Sequence, residues 1–125
     1  MLTINPKTEK TSIVHKYILG AVAPRPIAFA STIDNDGNLN LSPFSFFNAF
    51  SANPPILIFS PARRVRGNTI KHTLENALGN KEVVISIVTT EMAHQVSLSS
   101  SDFPKGINEF EKAGFTPVKS EKVTP

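Results

Sequence analysis

The chain has 125 residues, of which 40% are apolar and 18% are charged. This balance is typical of one soluble globular domain and excludes an intrinsically disordered chain. There are no cysteines, so disulfides, thiolate metal sites and cysteine nucleophiles are excluded. The formal charge of +3 favours anionic partners without choosing among them.

Two segments of the sequence concern the cellular location of the protein. Met1–Lys10 is polar and charged, which is not the pattern of a secretory signal. The longest apolar run, Ile56–Phe59, is far too short to span a bilayer. The sequence therefore predicts a cytoplasmic protein with no membrane among its partners. A nucleic-acid partner is not expected either, because the arginines cluster before a single predicted helix rather than along a groove.

The first predicted secondary structure is a β-hairpin. Ile27–Ile33 is apolar and favours a strand. The next residues, Asp34–Asn38, form a strong turn signal because Asn, Asp and Gly tolerate positive φ. Leu39–Phe47 is then expected to return antiparallel to the first strand.

The apolar residues of that second strand change parity. Leu39 and Leu41 share one parity, whereas Phe44 and Phe46 share the other, and a regular strand keeps its apolar residues on one face. Because Pro43 has no N–H for a ladder bond, one interpretation is a bulge or break at Ser42-Pro43, a feature often found beside active sites. The other is a strand buried on both faces with a corner in it.

Later elements follow from the same kinds of signal. In chain order they are a turn at Asn53–Pro55, a short buried strand Ile56–Ser60, a loop Pro61–Gly67, a helix Asn68–Leu78 ended by Gly79, a strand Glu82–Val88, helices Thr90–Leu98 and Ile107–Ala113, the second closed by Gly114, and a polar tail Thr116–Pro125 with little to bury. This order predicts a mainly β protein, a small antiparallel barrel or sandwich with peripheral helices, rather than a doubly wound parallel sheet.

A basic cluster precedes the first of these helices. Arg63, Arg64 and Arg66 come just before Asn68, and Lys71 is expected in the first turn. Positive side chains at a helix N-terminus are unfavourable unless an anion offsets them. Free N–H groups, the helix dipole and arginine forks together suit a phosphate. The alternative is a charged loop whose arginines point into water.

Other constellations are weaker. The three histidines lack metal-ligand spacing, and no serine has a nucleophile-elbow pattern, so we expect neither a metal nor a catalytic side chain. Four phenylalanines, Phe44, Phe46, Phe47 and Phe50, could stack nucleobases, although such a cluster more often forms core.

Several motifs together resemble the flavin reductase-like family. They are PRPIAFAST at 24–32, the Asp-Gly turn, LSPFSFFN at 41–48, NPP at 53–55, TLEN at 73–76, and SDFPKG at 101–106 with Glu109-Phe110. The likeness covers about residues 20–115. Two departures are visible. His72 stands where the family often has an acidic residue, and family members usually continue with further strands, so the single domain 1–125 is predicted to be C-terminally truncated.

The resemblance implies an FMN-binding antiparallel split β-barrel, usually a homodimer. Ser42, Pro43, Phe44, Ser45, Phe46 and Phe47 would contact the isoalloxazine ring and ribityl chain, with Ser31 and Thr32 close to the same cofactor. Ser60 and the arginine loop would hold the phosphate, with Arg64 the preferred contact and Lys71 a second candidate.

The activity that the resemblance implies is hydride transfer from NADH or NADPH to the flavin, with a monooxygenase as the candidate partner. The cofactor would carry this chemistry, which agrees with the lack of a catalytic constellation. Three alternatives remain at this point: an FMN-binding electron carrier, a related split-barrel oxidase acting on a phosphorylated vitamin, and a nucleic-acid-binding barrel.

Overall fold

The computed structural model describes residues 3–61, 70–101, 103–104 and 106–125. The helices and strands of this part of the chain are, in order, α1 (Thr11–Ala21), β1 (Ala28–Ile33), β2 (Leu39–Phe44), β3 (Phe47–Ala52), β4 (Pro55–Phe59), α2 (His72–Asn80), β5 (Val84–Ile87), a 3₁₀ turn (Thr90–Met92), α3 (Ala93–Ser99) and α4 (Glu109–Ala113). All strand pairs described are antiparallel and the helices are peripheral, as the sequence predicts for a mainly β protein.

The central sheet has the strand order β2-β1-β5. The predicted hairpin is confirmed, and its register runs from Ala28 opposite Phe44 to Ile33 opposite Leu39. The turn is closed by a hydrogen bond of 3.2 Å from the N–H of Gly37 to the carbonyl of Asp34. Gly37 has φ +86°, a conformation that favours glycine.

Strands β3 and β4 form a separate two-stranded sheet. The predicted turn at 53–55 joins them. The strand predicted at Ile56–Ser60 corresponds to β4. The prediction that it is buried is wrong, because Ile56, Leu57 and Ile58 are 41%, 53% and 49% exposed. Its continuous apolar run indicates burial, but in the described structure no further layer covers this hairpin.

The parity change in β2 has a different cause from the predicted bulge. Pairing with β1 is unbroken from Leu39 to Phe44, with Pro43 opposite Phe29. The chain leaves the sheet at 45–46, so the corner lies there and not at Ser42-Pro43. The Leu41 N–H donates to Glu109 and so points away from β1. Pro43, two residues on, has the same orientation, and a proline there removes no ladder bond.

Both faces of the central sheet are buried, which is the second interpretation of the parity change. On one face, the α2 face, Ala28, Ala30 and Phe44 form a core cluster with Phe47 and Phe59. On the other, the α3–α4 face, the buried residues are Phe29, Leu41 and Val96, with Met92, Phe110 and Phe115 packed against them. Apolar residues of either parity are therefore buried.

The helices differ from prediction mainly at their ends. Helix α2 begins at His72, with Lys71 as its N-cap residue rather than in its first turn. It runs through Gly79 and ends at Asn80, because Lys81 adopts the left-handed conformation (φ 61°). Gly114 closes α4 with φ 72°, as predicted.

The N-terminal helix α1 is absent from the sequence prediction. It has no side-chain N-cap hydrogen bond and no buried residue, and its β-branched Ile13 and Val14 have modest helix propensity. The side chain of Arg25 ends it by donating to the carbonyls of Leu19, at 2.7 Å, and Val22. These contacts hold α1 beside the start of β1.

The C-terminal tail folds back towards the central sheet. It lies against the α3–α4 face, where Pro125 is buried, and the Thr124 N–H donates to Glu82 at 2.9 Å. The tail residues Thr116, Pro117, Val118, Ser120 and Pro125 close a cavity of about 250 Å³ over the sheet, here called the tail cavity. Of residues 116–125, only Pro125 is buried and Ser120 is half-buried, so the prediction that this segment has little to bury is confirmed except at its last residue.

Candidate functional site

The sheet register separates the serines and threonines that were predicted to contact a cofactor. Residues directly opposite in neighbouring antiparallel strands share a face. Ser31 lies opposite Leu41, and Ser42 lies opposite Ala30. Ser31 and Pro43 therefore lie on the α3–α4 face, whereas Thr32, Ser42 and Phe44 lie on the α2 face. These side chains do not converge on one point.

The α2 face carries a polar cleft beside the edge strand β2. Its lining residues are Asn40, Ser42, Lys71, His72, Ser100, Ser101, Phe103 and Glu109. Two of the predicted site residues, Ser42 and Lys71, meet there from different elements. The cleft thus combines hydroxyl groups, an imidazole and an ammonium group beside one carboxylate.

The wall of the cleft formed by Lys71 rests on the aromatic core. The Nζ of Lys71 lies 4.9 Å from the ring centroid of Phe44, a cation–π distance. Phe44 is 4% exposed and packs against Phe59 with ring centroids 5.3 Å apart. Phe44 is therefore a core residue that supports Lys71, and its ring has almost no surface to offer a ligand.

A buried polar network joins β1 and β2 to α2. The Nδ2 of Asn40 donates to the Oγ1 of Thr73 at 2.9 Å and lies 3.5 Å from the Oγ1 of Thr32. Asn76 donates to Thr32 at 3.1 Å. Thr32 has no exposed surface and Thr73 is 1% exposed. Thr32 can thus influence a ligand only through its neighbours.

Glu109 closes the outer side of the cleft. Its carboxylate accepts the Leu41 N–H at 3.3 Å, and the residue is 6% exposed. This bond satisfies a backbone donor on the outer edge of β2, where no further strand is described. The sequence did not assign Asn40, Thr73 or Glu109 to the site, although Thr73 and Glu109 both belong to familial motifs.

Ser45, Phe46 and Phe47 line a second concavity, here called the apolar groove. Its volume is about 350 Å³, and Val22, Pro24, Arg25, Pro26, Asn48, Phe50 and Ile58 complete its lining. The ring of Phe46 meets His15 of α1 edge-on, with centroids 6.0 Å apart. Ser60 donates its N–H to the Phe46 carbonyl at 2.8 Å, so Ser60 lies beside the groove.

The polar cleft and the apolar groove are connected along the chain. Ser42 lines the cleft and Ser45 lines the groove, and three residues of extended chain span about 10 Å. Ser31 is separate from both, since it lines the tail cavity. Arg64, the preferred phosphate contact, lies outside the described residues.

Two further findings concern residues 3–61, 70–101, 103–104 and 106–125. Within them, no three His, Asp or Glu side chains are grouped so that they could hold a metal ion. Nor does any helix of this part have the length and apolar character needed to cross a membrane.

Comparison with known proteins identifies the family. Residues 20–125 match the model of the flavin reductase like domain. The chain belongs to this family. An uncharacterised protein from Aquifex aeolicus is 46% identical over 110 residues, which are 88% of this chain and 56% of that protein.

Solved structures agree with the fold. Nitrilotriacetate monooxygenase component B from Bacillus cereus is 33% identical, with a TM-score of 0.90 over 99% of this chain and 60% of the other. A split barrel domain protein from Shewanella frigidimarina has a TM-score of 0.77 at 24% identity, over 98% of this chain and 61% of the other. The fold is thus that of the split-barrel flavin reductases. The chain spans a little more than half the length of these relatives.

Proposed function

We propose that this chain binds FMN as part of a flavin reductase-like oxidoreductase. The observation that carries the proposal is the pairing of the polar cleft with the apolar groove at the two ends of the run Ser42–Phe47. Family membership of residues 20–125 supports a flavin as the ligand.

The residues present fit the chemistry of FMN, which has a ring system at one end and a phosphate at the other. Lys71 and Ser42 offer a cation and a hydroxyl donor to the phosphate. Phe46 and Phe47 offer apolar surface to the ring and exclude water from it. Ser31, on the opposite face of the sheet, is not part of this arrangement.

A bound flavin would supply the redox chemistry of the proposed activity, acceptance of hydride from NADH or NADPH. The residues of this chain would bind the flavin and orient it. The cleft would hold the phosphate and fix the register of the ligand along β2, while the corner at 45–46 would present the aromatic wall of the groove.

We also propose that the chain acts as a homodimer. The β3–β4 hairpin exposes Phe50 at 64% and Leu57 at 53%, beside the groove. A contiguous exposed apolar surface is typical of an association site. A partner monooxygenase and a cytoplasmic location remain predictions from the sequence. Sedimentation at increasing protein concentration tests the proposed homodimer directly.

Titration of flavin fluorescence tests the proposed function. We expect the purified protein to quench FMN fluorescence, and Lys71→Met to raise the Kd for FMN about tenfold or more, the size of one lost charge-assisted hydrogen bond. Lys119→Met, at an exposed tail position, is the matched control and should leave the Kd unchanged. No binding by the unmodified protein would overturn the proposal and favour the nucleic-acid-binding alternative.

Anaerobic mixing with NADH or NADPH tests the enzymatic part. Bleaching of the flavin absorption band would establish reductase activity. If FMN binds but neither nicotinamide reduces it, the chain is an FMN-binding electron carrier and the reductase proposal is wrong.

A further inference from the structure

One hydrogen bond links the two walls of the polar cleft. Asn40 belongs to β2 and Thr73 to α2, and the Nδ2 of Asn40 lies 2.9 Å from the Oγ1 of Thr73. Both side chains are enclosed, at 7% and 1% exposure. A buried bond of this kind is costly to break, because the donor left behind has no water to bond.

The bond is placed next to the groups that line the cleft. Asn40 precedes Ser42 by two positions and so shares its face of β2. Thr73 follows His72 and Lys71 at the start of α2. The Asn40–Thr73 bond therefore sets how far the hydroxyl of Ser42 lies from the ammonium group of Lys71.

The same network offers an internal comparison. Asn76 donates to Thr32 at 3.1 Å, one helical turn further along α2. Asn76 is 8% exposed and lines a different concavity, beside the Asp34–Asp36 turn. Loss of the Asn76 bond should thus loosen α2 on the sheet at a point outside the polar cleft.

We propose that Asn40 and Thr73 are positioning residues that make the cleft selective for a phosphorylated flavin over its unphosphorylated form. This inference rests on the proposed function, since it assumes that the flavin phosphate occupies the polar cleft. With the bond intact, Ser42 and Lys71 are held at a spacing that serves one phosphate. Without it, the Lys71 wall is free to move away from β2, whereas the apolar groove is unchanged.

The test compares the Kd for FMN with the Kd for riboflavin, which has the same ring but no phosphate. Thr73→Val removes the acceptor at nearly constant volume, and Asn40→Ala removes the donor. We expect each to lower the preference for FMN over riboflavin about tenfold, the effect of one hydrogen bond to a charged group. Thr73→Ser keeps the hydroxyl and should retain the preference of the unmodified chain.

Asn76→Ala is the matched control. It should lower the melting temperature, as the cleft variants do, and leave the FMN to riboflavin ratio unchanged. The inference is overturned if Asn76→Ala shifts the ratio as much as Thr73→Val, or if neither cleft variant shifts it. Equal binding of FMN and riboflavin by the unmodified chain also overturns it while flavin binding stands. Failure to bind either flavin overturns the proposed function itself.

Thr73→Val and Asn40→Ala remove opposite partners of one bond. If only one of the two variants folds, that variant alone is sufficient to test the inference. Folding is checked by circular dichroism and thermal denaturation before each titration. All titrations are made at the same ionic strength, so that salt screens the interaction with the phosphate equally in every variant.

Discussion

The Oγ1 of Thr32 accepts a hydrogen bond of 3.1 Å from the Nδ2 of Asn76, a residue 44 positions later in the chain. Thr32 has no exposed surface, so this bond fastens α2 to the middle strand of the central sheet where water cannot replace it. The bond holds α2 against the sheet at a point outside the polar cleft, beside the concavity that Asn76 lines.

Replacement of Thr32 by valine should therefore destabilise the fold. Thr32→Val keeps the shape of the side chain but leaves the Nδ2 donor of Asn76 without its acceptor, at a cost of about 1–3 kcal/mol. Denaturant unfolding measures this loss. The same change at the exposed Thr116 should alter the free energy of unfolding by less than about 0.5 kcal/mol, and an equal effect at both positions would contradict the argument.

Two phenylalanines of the same sequence cluster should differ strongly in their contribution to stability. Phe44 is 4% exposed and Phe50 is 64% exposed. Truncation of a buried phenylalanine leaves a cavity, so Phe44→Ala should lower the free energy of unfolding by about 3–5 kcal/mol. Phe50→Ala should have little effect on an isolated chain. If both variants lost a similar free energy of unfolding at low protein concentration, the Phe50 side chain would be buried in solution and the prediction would be wrong.

Removal of the Phe46 ring should weaken binding at the other end of the proposed ligand. Phe46 lines the apolar groove, so Phe46→Ala should raise the Kd for FMN and for riboflavin by a similar factor, about tenfold for a lost aromatic contact. Val118→Ala, at a side chain that is 87% exposed, should change neither Kd. A change confined to FMN would place the groove at the phosphate end and contradict the proposed orientation.

Acid should release the C-terminal tail. The backbone N–H of Thr124, with a smaller contribution from its side chain, lowers the pKa of Glu82 below its ordinary value. A carboxyl group whose pKa is lower in the folded state stabilises the fold above its unfolded-state pKa, and this contribution is lost as the pH falls through the folded-state value. The protection of the Thr124 amide, measured as its exchange rate relative to that of an unstructured amide at the same pH, should therefore fall on acidification below the ordinary pKa of glutamate.

Glu82→Gln should remove most of that pH dependence. The control is Glu91→Gln, because the pKa of Glu91 is also lowered, but by the side chain of Thr89, far along the chain from the tail. If Glu91→Gln flattens the pH profile of Thr124 exchange and Glu82→Gln does not, the carboxylate of Glu82 does not hold the tail.

Local signals in the sequence predicted much of the architecture. Apolar runs located β1, β4 and β5. The Asp-Asn-Asp-Gly stretch located the first turn, because glycine adopts the positive φ observed at Gly37 (+86°) without steric cost. Gly114 marked the end of α4 for the same reason. The familial motifs identified the flavin reductase-like family without any long-range contact.

Local signals failed where the outcome depended on distant parts of the chain. The exposed β4 has the composition of a buried strand, and α1 has no buried face that would mark it as a helix. The start of α2 was placed near Asn68, although Ile70 and Lys71 are not helical. The burial of a strand and the bounds of a helix depend on which other parts of the chain pack against it. The residues of the element itself do not contain that information.

The sequence by itself determined the strands β1, β2, β4 and β5, the turns, the family and some residues of the candidate site. Only the tertiary structure decided which of those residues share a surface. Side chains alternate along a strand, so the pairing register of β1 with β2 places Ser31 on one face and Ser42 on the other. Lys71 and Ser42 line the same cleft, next to a hydrogen bond between Asn40 and Thr73, which are 33 positions apart. No local sequence pattern predicts that contact.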